Sequence, residues 1–294
     1  MSHKAGFVNI IGNPNVGKST LMNRLVGERI SIITSKSQTT RHRIKGIVNT
    51  DDYQIVYSDT PGVIKPSYKL QESMMKFSTS ALADADIIVY VTDTVETFDK
   101  NEAFLNKVQK TNTPVLLVIN KVDLSNGDKI DALFDQWKET LPNAEIFPMS
   151  AQENFNIDNL FTRIVELLPE GDPFFPKDEM TDLPSRFFVN EIIREKILLH
   201  YDKEVPYSVE VQVEEFKEEK KVISIRALIH VERESQKGII IGKRGEALKR
   251  VGTEARKDIE AFFGKKVFLQ IFVKLSKDWR SKDRDLSGFG YNSI

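Results

Sequence analysis

The chain contains no cysteine, which excludes disulfides, thiolate-held zinc and a cysteine nucleophile, and fits a reducing compartment. Its four histidines are scattered, without the spacing of metal ligands. No apolar run approaches the length a membrane-spanning helix needs. The one near the start, Phe7–Ile11, is too short for a secretory leader and runs straight into a glycine-rich loop. Together these shortages predict a cytoplasmic protein and leave peripheral contact with a membrane surface open.

What remains is a chain of 294 residues, 40% hydrophobic and 29% charged, long enough for two domains with a core each. Its net charge of −1 is unevenly distributed. Residues 1–180 carry 19 Lys and Arg against 24 Asp and Glu, whereas residues 181–294 carry 23 against 19. Between Lys237 and Arg284, 14 basic residues face 6 acidic ones, which points to a polyanionic partner or to a plain solvated face.

Short β-branched runs at Phe7–Ile11, Ile55–Tyr57, Ile87–Val91, Val115–Ile119 and Ile146–Phe147 read as buried strands. They alternate with amphipathic stretches at Lys18–Val26, Leu70–Leu82, Glu102–Lys110, Ile130–Thr140 and Ile157–Leu168. The repeated βα order predicts an α/β domain, doubly wound around a mostly parallel sheet, over residues 1–170. Prolines 169, 173, 176 and 184, with Gly171, interrupt the pattern and mark a linker over 171–184. An α+β domain is expected over 185–294. Its elements are a helix at Glu191–Tyr201, strands at Ser208–Phe216 and Val222–Val231, a short helix and glycine-flanked turn, a helix at Glu246–Phe263 and a strand at Val267–Lys274.

Four motifs follow strands of the first domain, where such folds bind ligands. Gly12-Asn13-Pro14-Asn15-Val16-Gly17-Lys18-Ser19, continued by Thr20, closes a strand and opens a helix, the setting of a phosphate-binding loop. Lys18 would bridge the β- and γ-phosphates, and Ser19 would give its hydroxyl to Mg²⁺. Asp59-Thr-Pro-Gly62 offers a carboxylate to the same metal and the Gly62 amide to a γ-phosphate; in isolation it would be an ordinary turn. In the polar segment Ser35–Arg43, Thr40 is preferred over Thr39 to complete the metal shell of Ser19, Thr40 and Asp59. Lys18, Thr40 and Gly62 are thus the expected catalytic contacts. Val63 stands where a water-orienting glutamine would serve, so intrinsic hydrolysis should be slow.

Asn120-Lys121-Val122-Asp123 follows another strand. One carboxylate, Asp123, can accept both N1–H and N2–H₂ of guanine, a donor pair that adenine lacks. Asn120 would tie base to phosphate loop, the Lys121 stem would cover the ring, and a backbone amide of Ser150-Ala151 would meet O6. The set predicts GTP and GDP as ligands. In the second domain, Gly238-Ile239-Ile240-Ile241-Gly242-Lys243-Arg244-Gly245 precedes a helix carrying Lys249 and Arg250. A basic Gly-x-x-Gly between two helices is the clamp of a KH module for single-stranded nucleic acid, with Ile239–Ile241 lining the groove.

With these motifs, with Gln38-Thr-Thr-Arg-His-Arg43, with Glu191-Ile-Ile-Arg-Glu-Lys196 and with Trp279 and Gly288-Phe-Gly-Tyr291, the chain resembles the Era family of bacterial GTPases over nearly its whole length. The resemblance implies a type II KH domain that binds the 3′ end of small-subunit ribosomal RNA, and a role in assembling that subunit. It implies a monomer that does not act on DNA. It also implies Asn15 as ligand of a K⁺ ion that would assist hydrolysis. One departure is that Ser150-Ala151-Gln-Glu-Asn lacks the glycine often found three places after the alanine. Two other readings use the same residues: an RNA-binding adaptor that scarcely hydrolyses GTP, which Val63 favours, and a P-loop ATPase, which Asp123 disfavours.

Overall fold

The computed structural model describes residues 2–95 and 102–291. They divide into two compact units, the chain passing from one to the other between Asp182 and Leu183, with Tyr68–Leu70 grouped with the second.

The first unit runs β1 (Lys4–Gly12), α1 (Lys18–Val26), β2 (Ile44–Asn49), β3 (Tyr53–Asp59), α2 (Lys69–Ala83), β4 (Ile87–Asp93), α3 (Glu102–Gln109), β5 (Val115–Asn120), α4 (Gly127–Thr140), β6 (Glu145–Pro148) and α5 (Ile157–Leu167). The sheet order is β2-β3-β1-β4-β5-β6, parallel except for β2, which pairs antiparallel with β3. Val8, Ile10, Val89 and Val118 point to one face, where Leu21, Leu25, Leu160 and Ile164 cover them. Ile11, Ile88, Leu117 and Ile119 point to the other, against Phe104, Val108 and Trp137. Burial on both faces explains why these strands are unbroken apolar runs. Because α-helices and parallel strands alternate, the C-terminal ends of β1, β3, β4 and β5 share one edge, and every motif of the first domain leaves from it.

Two features differ from the sequence expectation. The first is β2, whose apolar pattern is diluted by Lys45, Gly46 and Asn49. The second is the segment 171–182, expected as a linker, which lies along the first unit. Phe174 and Phe175 donate backbone N–H to Gln54 Oε1 at 2.7 and 3.0 Å, and Ile47 N–H donates to Met180 O at 2.8 Å. The physical reason is the open edge of β2, whose unpaired amides the segment covers.

The second unit runs α6 (Ser185–His200), β7 (Glu210–Glu218), β8 (Val222–Val231), α7 (Glu234–Ile241), α8 (Glu246–Phe263), β9 (Lys266–Leu275) and the short α9 (Asp283–Gly288). β7 and β8 are antiparallel, β8 and β9 parallel. Val189, Ile193 and Ile197 of α6, Ile240 of α7, and Val251, Ala255 and Ile259 of α8 pack on one face of this sheet. The chain after β9 returns to the sheet: Trp279 Nε1 donates to Ser208 O at 2.9 Å and the Tyr291 hydroxyl to Glu210 Oε2 at 2.6 Å. Residues 292–294, the end of the expected second domain, lie outside the described residues. Among the described residues no helix is long and apolar enough to cross a membrane.

Candidate nucleotide site and nucleic-acid interface

β1 ends at Gly12, the chain loops through Asn13–Val16, and α1 begins at Lys18, so the first-turn amides of α1 face the loop. Gly17 sits at φ 98°, and a Cβ there would lie 2.2 Å from Asn120 Nδ2. No other residue fits that contact. Lys18 is buried, 6% exposed, and its ammonium donates to Gly12 O at 3.0 Å and Asn13 O at 2.8 Å, which holds its charge inside the loop. Thr20 occupies the first turn of α1, and a cavity of about 340 Å³ opens before Lys18, Ser19, Thr20, Thr40, Gly62 and Lys121.

Three expected metal ligands converge. Ser19 Oγ lies 2.7 Å from Asp59 Oδ2 and 2.9 Å from Thr40 Oγ1, and Thr40 Oγ1 donates to Asp59 Oδ2 at 3.1 Å. Thr39 faces elsewhere, with Thr34 Oγ1 at 2.6 Å and Lys36 O at 2.7 Å. Burial pushes the Asp59 carboxyl above the ordinary carboxylate range, while the Lys18 charge and the hydroxyls of Ser19, Ser31 and Thr40 pull it back. Asp59 Oδ1 is buried and makes no hydrogen bond. A buried carboxylate oxygen without a donor, beside two hydroxyls, is a donor set suited to a hard, oxygen-liganded cation such as Mg²⁺. Gly62 approaches the loop so closely that a Cβ would fall 2.7 Å from the Pro14 backbone. Val63 is buried, 3% exposed, among Ile11, Ile88 and Tyr90, so its side chain points into the core rather than toward the cavity.

At the base end, Asn120 Nδ2 donates to Val16 O at 2.8 Å and Asn120 Oδ1 accepts from Ala151 N–H at 3.0 Å. One side chain therefore joins the phosphate loop to the loop after β6. Ser150 N–H donates to Phe155 O at 3.2 Å, and Ser150 Oγ accepts from Glu153 N–H at 3.1 Å. The amides of Ser150 and Ala151, expected to face a base, are thus engaged within the protein. Asp123 is exposed on the 3-10 turn Val122–Leu124. Lys121 Nζ donates to Asn15 O and Asp93 Oδ2, both at 2.6 Å. Asp93, at the end of β4, escapes sequence reasoning, as does Arg24, whose Nε donates to Ala151 O at 3.1 Å. The one signal for Asp93 is that it ends its strand as Asp59 ends β3.

In the second unit, Gly242 (φ 72°), Arg244 (φ 52°) and Gly245 (φ 77°) turn the chain sharply between α7 and α8 and leave Lys243 and Arg244 exposed. Lys249 and Arg250 are exposed on the following helix, and Gly238 and Ile239 are exposed on α7. One expectation is corrected: Ile240 is fully buried in the core, while Ile239 is 49% exposed and Ile241 half-buried. The three isoleucines lie on a helix, so successive side chains turn by about 100° and cannot share one groove.

Comparison with known proteins follows the same division. A family model described as 50S ribosome-binding GTPase matches residues 7–121, and a KH domain model matches residues 204–280. The chain is 44% identical to GTPase Era of Alkaliphilus oremlandii over 99% of this chain and 100% of that one. It is 44% identical to GTPase Era of Alkaliphilus metalliredigens over the same shares. A crystal structure of Era in complex with MgGDPNP and nucleotides 1506–1542 of 16S ribosomal RNA superposes with a TM-score of 0.94 at 39% identity, covering 98% of this chain and 99% of that one. A variant of Aquifex aeolicus Era bound to GDP and AlF4⁻ gives a TM-score of 0.94 at 40% identity over the same shares. The full-length identity to both Era proteins and the two family models agree: the chain is a member of the Era family of GTPases, a P-loop GTPase domain followed by a KH domain.

Proposed function

We propose that this GTPase binds the 3′ end of small-subunit ribosomal RNA through its KH domain and acts, as a monomer, in assembly of that subunit. The observation that carries the reading is the pairing, in one chain, of the Ser19–Thr40–Asp59 cluster with the exposed Lys243-Arg244 turn. An Era of 0.94 TM-score similarity holds both a GTP analogue with magnesium and a 16S fragment. A role on ribosomal RNA puts the work in the cytoplasm.

In the nucleotide site, the loop Gly12–Thr20 wraps the phosphates, with Lys18 as the counter-charge to the β- and γ-phosphates. Ser19, Thr40 and Asp59 would hold Mg²⁺, which when bound neutralises charge on the phosphate oxygens. The Gly62 amide contacts the γ-phosphate, so loss of that phosphate frees the Asp59–Gly62 turn. Asp123 accepts from guanine, Lys121 covers the ring, and Asn120 and Ala151 hold the base loop against Val16. No side chain at position 63 orients water, so turnover without assistance is slow. Asn15, exposed at the loop apex with φ 65°, is the side chain that would hold K⁺.

In the KH domain, Gly242–Gly245 clamps the RNA backbone, Lys243, Arg244, Lys249 and Arg250 supply charge, and Ile239 and Ile241 present apolar surface to bases. Crosslinking and sequencing of RNA bound in cells tests the reading. Enrichment of the 16S 3′ end, stronger in one nucleotide state, is expected. An unenriched RNA population would refute it.

A further inference from the structure

The KH sheet has a second face, opposite α6, α7 and α8, that the proposed function leaves unused. Along β9 the inward side chains Val267, Leu269, Ile271 and Val273 join the core, while Lys266, Phe268, Gln270, Phe272 and Lys274 point outward and are exposed. Phe268 is 57% and Phe272 44% exposed. Register places Ser224, Arg226, Leu228 and His230 of β8 beside Phe268, Gln270, Phe272 and Lys274. Among the described residues, the C-terminal segment covers the His230 end, where the Phe289 ring stands 4.9 Å from the imidazole.

We propose that this outer face is a second binding platform for single-stranded RNA, on which unpaired bases stack against Phe268 and Phe272. Two exposed phenylalanines alone would suit any apolar partner; the charges around them select the occupant. On the outward face of β8 and β9 the ionised side chains are Arg226, Lys266 and Lys274; neither strand places a carboxylate there, and Lys266 Nζ lies 3.9 Å from Glu260 Oε2 of α8. The nearest carboxylates on β7 are spent on neighbours: Glu214 on Arg226 at 3.2 Å and Glu215 on Lys217 at 3.1 Å. The Arg226 guanidinium, held by Glu214, rests 5.0 Å from the Phe272 ring centroid and props the ring, while Lys274, two residues further along the same face, supplies a cation for a phosphate. Aromatic faces interleaved with cations on an open sheet are the recognition chemistry of single strands, because every base has a π-face and every nucleotide a phosphate. At 3.3 Å per residue the two rings lie about 13 Å apart, too far to share one base. Each therefore takes its own.

The inference rests on the RNA-binding reading above and extends it to a longer strand than the Gly-x-x-Gly turn alone can hold, about four nucleotides. The test uses the full-length protein with two probes: the 16S fragment 1506–1542 and a tetranucleotide from its 3′ end. Phe268→Ala/Phe272→Ala should weaken the long RNA by about tenfold per ring and leave the tetranucleotide and GTP hydrolysis unchanged. Phe268→Trp/Phe272→Trp, which keeps the stacking faces, should retain affinity. Lys243→Glu/Arg244→Glu should weaken both probes. Long-RNA affinity within twofold of the parent in the alanine variant, with the Lys243/Arg244 variant still defective, overturns the platform and leaves the KH reading standing. Full affinity in both variants overturns the KH reading itself.

Discussion

Replacing Asn120 by Ala removes the side chain that joins the phosphate loop to the loop after β6. Two buried groups lose their partners at once: Val16 O, 2.8 Å from Nδ2, and the Ala151 amide, 3.0 Å from Oδ1. An unsatisfied buried group costs about 1–3 kcal/mol, so the nucleotide-free first unit should lose about 2–6 kcal/mol. For a domain of this size, at about 2–4 °C per kcal/mol, that corresponds to about 4–24 °C in melting temperature. A bound guanine would give the Ala151 amide a new acceptor in O6, so excess GDP should recover part of the loss, whereas ADP should recover none. Trp137 is buried in the first unit and Trp279 in the second. Fluorescence melting in a Trp279→Phe background therefore reads the first unit alone. Asn120→Asp refines the test, because it keeps the acceptor for Ala151 and turns an oxygen toward Val16 O. It should be destabilising despite its equal size. A melting temperature unchanged within 1 °C in the alanine variant would refute the bridging role, and equal rescue by ADP would refute the guanine contact.

Asp59→Asn removes a buried charge, so the ligand-free protein should melt no lower than its parent, while magnesium-dependent hydrolysis falls by about a hundredfold or more; near-normal turnover at low magnesium would speak against it. Asp123→Asn should weaken GTP and favour xanthine nucleotides, whose C2 carbonyl accepts rather than donates, as competition binding would show. His230 is pushed down to about 4 by burial and by Lys274, so the folded protein holds it neutral where the unfolded chain protonates it near 6.5. Its contribution is complete above pH 6.5 and is lost as pH falls toward 4, by up to about 1.4 kcal/mol per pH unit. In urea melts of His230→Gln, the stability slope over that window should be shallower than in the parent.

The nucleotide site was legible because its chemistry constrains residue type at fixed spacing: Gly17 must lack a Cβ, Lys18 must carry charge, Asp59 must end a strand, and Asp123 must lie just past the end of β5 at the same edge. Strands buried on both faces announced themselves as apolar runs. The antiparallel edge strand β2 did not, since Lys45, Gly46 and Asn49 dilute its pattern. Residues 171–182 look like a linker because Gly171, Pro173 and Pro176 break any helix or strand pattern, yet backbone groups, which composition does not report, fasten them to Gln54 and Ile47. Ile239–Ile241 carry no phase until the helix beneath them is known. Asp93 ends its strand as Asp59 does, but no motif follows it in the sequence; its 2.6 Å contact with Lys121 Nζ is what marks it.

The central claim is that GTP occupancy at Ser19, Thr40 and Asp59 controls RNA held at Lys243 and Arg244. Single-turnover GTP hydrolysis, measured with and without the 16S fragment 1506–1542 in K⁺ and in Na⁺, tests it most directly. The account predicts slow hydrolysis by the protein alone, faster hydrolysis with RNA and in K⁺, and no RNA effect in Lys243→Glu/Arg244→Glu. A rate indifferent to RNA in both salts would contradict it.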